Sequence, residues 1–438
     1  MRKTKFMQKV IISVFLSLNL LVGVRAFAFQ QNINQWDLSR CIAHAQENSI
    51  QVKQALLEVA SGKLDLVKSR SEWMPAVNAS VSEDFVNSFD AASTGFSLSS
   101  SMPLYEGGAI QNGIKRSVLA LELANLSVEE SQKSITLSIV QAYLNVLYAK
   151  ESFDYNNEVV AASEKQVDRI RELHKAGSVA RKDLLQLEAQ LASDSYSLVV
   201  AKNSVVSNST TLKQLLELPV TDTFNVFFPD VDVDDSTILL PTLQEAISAA
   251  TEVMPEIKSK QLGTAMAEID LKIAKSGYLP SLNLSAGYST NYSSGLNSGF
   301  SDQLSENQMK KLGLTLSIPI FNRNATRVSI QQSKISINRA QLQYSEAEKN
   351  LVQKVEAVYQ AVIAAISRYK SAKVKMNAAA ENFMLSEEQF TLGMVNAVEL
   401  LNAKTSFLNA KSELVQSKYN TVLNLKVLDF YMGKPITL

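Results

Sequence analysis

The chain has 438 residues, and 43 basic side chains balance 43 acidic ones, so its formal net charge is zero. This balance leaves no excess of positive charge for binding nucleic acid. One cysteine, Cys41, and two histidines, His44 and His174, exclude a disulfide framework within the chain and give no basis for a Cys/His metal site. We therefore expect no cofactor and no metal. Scarce glycine and proline favour helix.

Residues 1–28 are predicted to be a signal peptide. A basic start is followed by an apolar run over 10–24 and by the small-x-small site Ala26-Phe27-Ala28. The run is shorter than a comfortable transmembrane helix, although an uncleaved membrane anchor is the alternative. No later stretch is apolar enough to span a membrane as a helix.

The rest of the chain is two copies of one plan, at 29–228 and 242–438, joined by an acidic, proline-bounded linker at 229–241. The offset between matched residues rises from 205 to 216 along the copies, so the second copy carries an insertion of 11 residues, expected to be a polar loop. The matched pairs include Leu38 with Leu243, Trp73 with Tyr278, Pro103 with Pro319, Tyr143 with Tyr359, and Gly177 with Gly393.

Each copy is predicted to begin with one helix, about 37–70 and 242–275, and to continue into two strands. The strands are predicted at 76–88 and 95–104 in the first copy and at 281–292 and 311–320 in the second. About ten residues with one apolar face fit a strand of an outer-membrane barrel. Pro103 and Pro319 are expected to end the ladder, because proline donates no hydrogen bond. A soluble hairpin pair packed on helices is the alternative.

Four strands are too few to close a barrel, since closed barrels start at about eight strands. Two copies of the chain would supply eight strands, and three copies would supply twelve. Four aromatic residues lie at the strand ends that join helices, and we expect them to form a girdle at one membrane surface. They are Trp73, Tyr105, Tyr278 and Phe321.

Very long helices are predicted near 108–176 and 323–391, because apolar residues repeat there by alternating threes and fours. In the first of them a second apolar stripe lies beside the first, which is typical of a closed ring of helices. Each long helix ends at a glycine, Gly177 or Gly393, and a second helix returns from it. The last helix carries a lysine at every seventh residue, at Lys404, Lys411 and Lys418. We interpret these lysines as a stripe exposed to solvent.

These features together resemble the TolC-type outer-membrane efflux channel family. The resemblance covers essentially all of the mature chain, and the full set of motifs occurs twice in order. It is carried by the segments "DLSRCIAHAQENS", "TLQEAISAATEVMPEI", "WMPAVNAS", "YLPSLNLSAGY", "MPLYEGG" and "IPIFNRN" and by the two glycine turns.

The resemblance implies a mainly α fold with a small β part. Three chains would form a 12-stranded outer-membrane β-barrel that continues into a long periplasmic tube of coiled-coil helices. The expected location is the outer membrane of a Gram-negative bacterium, with most of the chain in the periplasm. The implied partners are two further copies, a periplasmic adaptor, an inner-membrane pump and outer-membrane lipid.

In this family the glycine turns form the periplasmic tip, which docks the adaptor and constricts the pore. The resemblance implies adaptor contacts at Gly177, Ser178, Val179, Gly393, Met394 and Val395. The family's tyrosine, arginine and two aspartates around the second turn are replaced here by Phe390, Val395, Glu399 and Asn402. The expected aperture residues are therefore Asp183, Gln186, Phe390, Glu399 and Asn402. A ring of Glu399 carboxylates, with Asp183, would favour cations; an acid that only starts a helix is the alternative.

We expect no enzyme, because the sequence contains no nucleophile–base pair, no HExxH and no phosphate-binding glycine loop. The expected function is the passive exit duct of a tripartite efflux system for small molecules. The alternatives are an exit duct for type I protein secretion and, in another class, a periplasmic adaptor or structural coiled-coil protein. The sequence does not name the cargo, the pump or the adaptor.

Overall fold

The computed structural model describes residues 35–86, 91–219, 221, 224–229 and 239–437. The predicted signal peptide and most of the predicted linker lie outside these residues. The predicted mainly α fold with a small β part is confirmed. Within the described residues, no helix is both long enough and apolar enough to cross a membrane.

Both copies contain the same principal elements in the same order. The first copy contains β1 Gln35–Trp36, α1 Leu38–Asn48, α2 Ile50–Ser71, β2 Ala76–Val86, β3 Ala91–Glu106, α3 Ala109–Lys175, α4 Arg181–Leu215 and β4 Asn225–Val226, which pairs with β1. The second contains α5 Leu243–Val253, α6 Pro255–Ser276, β5 Ser281–Ser293, α7 Phe300–Glu306, β6 Met309–Ser317, α8 Ala325–Thr391 and α9 Ala397–Tyr431.

The prediction of one continuous helix at the start of each copy was wrong. The chain leaves the helical conformation at Ser49, where ψ is 134°, and at Met254, where ψ is 122°. Pro255 excludes the helical conformation from Met254, because its ring clashes with the preceding residue. In the first copy the break follows Asn48 and Ser49, whose side chains favour helix ends over helix interiors. Each copy therefore begins with two short helices.

The four longer strands form one antiparallel sheet in the order β2-β3-β5-β6. Ser101 in β3 pairs with Ala76 in β2 and with Ser285 in β5, and the matched position Ser317 in β6 pairs with Ser281 in β5. Alternate apolar side chains of the two outer strands remain exposed. They include Val77, Val81 and Phe85 in β2 and Leu312, Leu314 and Leu316 in β6.

The prediction that Pro103 ends its strand was wrong. β3 continues through Pro103 to Glu106, and its register against β5 shifts between Pro103 and Tyr105. The residue that this shift leaves without a partner is Leu104, while Pro103 itself pairs with Asn283. A proline is tolerated beside such a bulge, where the ladder of hydrogen bonds is already interrupted. β6 instead stops at Ser317, two residues before Pro319 and short of the predicted residue 320.

The insertion in the second copy is more ordered than the predicted polar loop. It contains α7, and the buried Gln303 in that helix holds the end of β5. Its Oε1 accepts a hydrogen bond from the Ser293 N–H at 2.8 Å, and its Nε2 donates to the Ser293 carbonyl oxygen at 3.1 Å. The buried Gln303 side chain thus fastens the inserted segment, and Asn307 Nδ2 adds a hydrogen bond to the Asn291 carbonyl oxygen at 2.9 Å.

The long helices pair into two hairpins, the first formed by α3 and α4 and the second by α8 and α9. α3 and α8 have 67 residues each, which corresponds to about 100 Å at 1.5 Å per residue. The apolar seams predicted from the heptad spacing are buried. Buried members on α3 include Ile139, Val146 and Val167, and those on α8 include Leu351, Val355 and Val362.

Matched tyrosines of the two long helices bind the chain at Phe227, just before the linker, and at Pro241, its last residue. Tyr143 Oη donates a hydrogen bond to the Phe227 carbonyl oxygen at 2.6 Å. Tyr359 Oη donates to the Pro241 carbonyl oxygen at 3.0 Å. Tyr143 and Tyr359 are 216 positions apart, so they are matched residues of the two copies. The same tyrosine therefore makes the same kind of contact on either side of the connection between the copies.

Candidate functional site

The two glycine turns have the same backbone geometry. Gly177 has φ 77° and Gly393 has φ 75°, a region in which L side chains are strained. The N–H of Gly177 donates to the His174 carbonyl oxygen at 2.9 Å, and the N–H of Ser178 donates to that of Leu173 at 2.9 Å. The second turn repeats both bonds, from Gly393 to Phe390 at 3.0 Å and from Met394 to Gln389 at 2.9 Å. This pair of bonds satisfies the last carbonyls of a helix and reverses the chain.

The helices that return from the turns start differently. In the second hairpin, Asn396 Oδ1 accepts a hydrogen bond from the Glu399 N–H at 3.0 Å, so α9 has a side-chain cap. In the first hairpin, Ala180 precedes α4 and has no side chain for this role. His174 holds this turn in another way, because its Nδ1 donates to the Val179 carbonyl oxygen at 2.9 Å, which leaves the N-terminus of α4 without a side-chain cap. Asp183 and Glu399 both occupy the first helical turn, where the helix dipole stabilises a carboxylate.

An apolar cluster joins the two hairpins just above the turns. Val167, Ile170 and Leu187 of the first hairpin are buried, and Phe390 and Leu401 of the second pack against them. Phe390 occupies the place of His174 in the repeat. The same position thus braces a turn in one copy and contributes to the contact between hairpins in the other.

A cleft of about 780 Å³ lies between the two turns. Phe390 and Val179 contribute its apolar wall, and Met394 is largely exposed at its edge. Seven of the residues singled out from the sequence border this one cleft, which brings parts of both hairpins together. They are Ser178, Val179, Asp183, Phe390, Gly393, Met394 and Val395.

The other residues singled out at the tip are not among those that line this cleft. Glu399 and Asn402 are exposed on α9, and Gly177 is exposed at its turn. Gln186 is half-buried, and its Oε1 has no hydrogen-bond partner among the residues that the structure describes. Within one chain, therefore, Asp183 faces the cleft while Glu399 does not border it.

The sequence analysis did not single out the charged residues that line the cleft. Lys165 and Arg169 are exposed on α3, and Glu387 lines the cleft from α8. The spacing of four between Lys165 and Arg169 places them on one helix face. That spacing is a usable signal, but only the fold shows that this face meets the second turn.

The interpretation of Lys404, Lys411 and Lys418 as a solvated stripe was wrong. Lys404 is 5% exposed and its Nζ lies 2.7 Å from Asp194 Oδ2. Lys418 Nζ lies 2.5 Å from Glu151 Oε2, and Lys411 between them is half-buried. The spacing of seven correctly indicates one helix face, but that face packs against the first hairpin. The carboxylates of Asp194 and Glu151 make its burial possible.

The four aromatic residues predicted as a girdle lie at one end of the sheet. The strand register places all of them where the strands join α2, α3, α6 and α8. Tyr278 and Phe321 are exposed by 55% and 79% in a single chain. The matched junctions after β3 and β6 share one conformation, with positive φ at Gly107 and Gly108 and again at Arg323 and Asn324.

Comparison with known proteins gives one family. The model described as "Outer membrane efflux protein" matches residues 41–217 and 246–434. Outer membrane protein TolC of Escherichia coli (strain K12) is 22% identical over 418 residues, which cover 93% of this chain and 84% of TolC. Outer membrane efflux protein BepC of Brucella suis biovar 1 is 21% identical, covering 88% of this chain and 83% of BepC.

Solved structures give the same fold. The chain superposes on CusC with a TM-score of 0.77 and 16% identity, covering 93% of this chain and 96% of CusC. VceC from Vibrio cholerae gives a TM-score of 0.73 and 15% identity, with 91% and 97% covered. At these identities the structures support the arrangement of helices and strands only.

Proposed function

This chain belongs to the outer membrane efflux protein family, and from that premise we propose that three copies form a passive export duct through the outer membrane. The sheet would supply one third of a barrel. The hairpins would supply one third of a periplasmic tube. The energy for transport would come from an inner-membrane pump, reached through a periplasmic adaptor.

The observation that carries this proposal is the pairing of β3 with β5. β3 belongs to the first copy and β5 to the second, and their repeat equivalents are β6 and β2. Within the described part of the chain, the outer edges of β2 and β6 pair with no strand. An unpaired edge in a membrane is costly, because lipid cannot satisfy backbone hydrogen bonds. If β6 pairs with β2 of a neighbouring copy as β3 pairs with β5, the sheet closes into a ring.

Three copies are the smallest number that closes such a ring with room for a pore. They supply twelve strands, against about eight for the smallest barrels, whose interiors side chains fill. The exposed apolar side chains of β2 and β6 would then face lipid, and Trp73, Tyr105, Tyr278 and Phe321 would form a girdle at the periplasmic surface.

We assign adaptor docking to the cleft between the turns. The cleft combines an apolar wall with basic and acidic side chains, as at Lys165 and Glu387, so a helical hairpin with an apolar face and charged flanks would fit it. Exposed Met394 is suited to such a contact, since an unbranched thioether adapts to different partners. The proposed contacts are Gly177, Ser178, Val179, Gly393, Met394 and Val395.

The narrowest part of the pore would lie at the same end of the tube. The proposed aperture residues are Asp183, Gln186, Phe390, Glu399 and Asn402. Glu399 is exposed in the single chain, so three copies could bring three carboxylates to one level of the pore. Because the relative BepC is named an efflux protein, we infer small-molecule export, with polypeptide secretion as the alternative cargo.

The first test is the native mass of the mature protein extracted from outer membranes in detergent, followed by recording in planar bilayers. We expect a trimer that forms ion-conducting channels. A water-soluble monomer that needs no detergent would contradict the proposal, and so would a detergent-extracted trimer that conducts no ions.

A further inference from the structure

We propose that Lys404 and Asp194 are positioning residues that set the resting width of the pore at its periplasmic end, by fixing the second hairpin against the first. The inference rests on the proposed function. It concerns a buried polar cluster formed by Ser163, Gln190, Asp194 and Lys404. These residues belong neither to the proposed aperture nor to the docking cleft.

The cluster connects three helices. Lys404 Nζ on α9 donates to Asp194 Oδ2 on α4 at 2.7 Å and to Ser163 Oγ on α3 at 2.5 Å. Ser163 Oγ donates to the same Asp194 oxygen at 2.6 Å, and Gln190 Nε2 donates to the other one at 2.8 Å. Every bond of the ammonium group in this cluster therefore crosses from the second hairpin to the first.

Because the ion pair is buried, its energy depends strongly on the relative position of the two hairpins. Asp194 and Lys404 are each 5% exposed in a single chain, so their burial does not depend on assembly. Separating two buried charges is strongly unfavourable unless water or new partners replace the lost contact. The apolar contacts of Phe390 and Leu401 nearer the tip are non-directional, so they depend less on how the two hairpins are shifted along each other. The ion pair, in contrast, favours one relative position of the hairpins.

A polar cavity beside the cluster offers room for water if the contact opens. It has a volume of about 330 Å³, and Tyr155, Gln190, Asp194 and Thr405 are among its lining residues. Tyr155 Oη is buried and has no hydrogen-bond partner among the described residues. A polar space of this size holds several water molecules, which could solvate the ammonium and the carboxylate when the hairpins separate.

The cluster is not a by-product of the duplication. Ser163, Asp194 and Lys404 correspond to Ala379, Ala410 and Glu188 in the other copy. Glu188 there binds Arg171 within its own hairpin, at 3.0 Å. In a trimer the charged contact would therefore occur inside each chain, while the matched contact between chains would have Ala379 and Ala410 opposite Glu188. The cluster lies roughly 15–25 Å above the turns at about 1.5 Å per residue, where a small rotation is magnified at the tip.

The test is the resting conductance of purified full-length trimers in planar bilayers. The double variant Asp194→Asn with Lys404→Gln removes both charges at once, so that no buried charge is left without a partner. We expect its resting conductance to rise roughly twofold or more, as a looser aperture widens. Cells carrying it should also become more permeable than wild-type cells to large polar solutes.

The matched control is Lys375→Gln with Glu413→Gln, which removes an exposed ion pair of 2.7 Å between the two helices of the second hairpin. It should leave conductance unchanged. If the Asp194 and Lys404 variant assembles and conducts like wild type, changing only the temperature at which trimers dissociate, the positioning role is overturned. If that variant does not assemble, Ser163→Ala decides: wild-type conductance overturns the proposal, and more frequent large openings support it. A wild-type trimer that conducts nothing would instead overturn the proposed function, and the inference with it.

Discussion

At the scale of single residues, the two turns show which features of the tip depend on backbone geometry alone. A Cβ added at Gly177 or Gly393 would meet no atom within 4 Å. The glycines are therefore needed for their positive φ and not to make room for a neighbour. Gly107 differs, since a Cβ there would lie 2.8 Å from the Ser276 carbonyl oxygen.

Gly393→Ala should destabilise the protein by roughly 1–2 kcal/mol, because alanine is strained at φ 75°. Gly263→Ala is the control, since Gly263 lies inside α6 with no atom within 4 Å of an added Cβ and a normal helical backbone. That variant should gain about 0.5–1 kcal/mol. The midpoints of thermal unfolding, followed by circular dichroism, should move in opposite directions; a parallel shift would refute the geometric explanation.

Glu399→Ala should weaken the preference of the channel for cations and its block by divalent cations. A carboxylate ring attracts cations and binds multivalent ones more strongly, and we expect the cation-to-anion permeability ratio to fall roughly by half. Glu413→Ala, on the same helix but farther from the turn, is the control. Reversal potentials in a salt gradient measure the ratio, and an unchanged value would leave Glu399 as an acid that only starts α9.

At the scale of elements, periodicity predicted more than the identity of single residues did. Heptad spacing located α3 and α8, and glycine located both turns. The breaks at Ser49 and Met254 were both missed, the second although Pro255 follows it. The burial of Lys404 was missed because a spacing of seven defines a helix face but does not show which element covers it. Asp194 is 210 positions away along the chain.

Tyr143→Phe should destabilise the first copy by about 1–3 kcal/mol, because the hydrogen bond from the fully buried Tyr143 to the Phe227 carbonyl oxygen would be lost. Tyr143 is fully buried, whereas Tyr359 is half-buried. Tyr359→Phe should therefore have a smaller effect, about 1 kcal/mol. The free energies of unfolding of the two variants, measured with denaturant, test which hydrogen bond contributes more. Equal losses of stability would show that the burial of the tyrosine does not determine the contribution of its hydrogen bond.

At the scale of the whole molecule, the internal repeat predicts a contact that a single chain cannot display. In the sheet, Ser101 of β3 pairs with Ser285 of β5. The repeat equivalents of these residues are Ser317 and Ser80. The same register between copies would therefore place Ser317 of β6 beside Ser80 of β2 in a neighbouring chain.

Cysteines at Ser80 and Ser317 should cross-link between copies and give covalent dimers and trimers on a non-reducing gel. The two positions lie on opposite outer strands of one sheet, so a bond within one chain is excluded by the fold. Cysteines at Ser82 and Ser317, displaced by two residues in register, are the control. Equal cross-linking of both pairs, or none of the first, would contradict the barrel closure derived from the repeat.

The buried state of Cys41 has a practical consequence. Its side chain is fully enclosed, and burial raises its pKa to about 12. At pH 8 only about one thiol in ten thousand would be ionised, and the thiolate is the form that reacts. In an oxidising compartment the Sγ atom of Cys41 is thus protected from thiol–disulfide exchange. A fluorophore or spin label attached to a cysteine placed at a hairpin turn would report from that position alone, without first removing a native thiol.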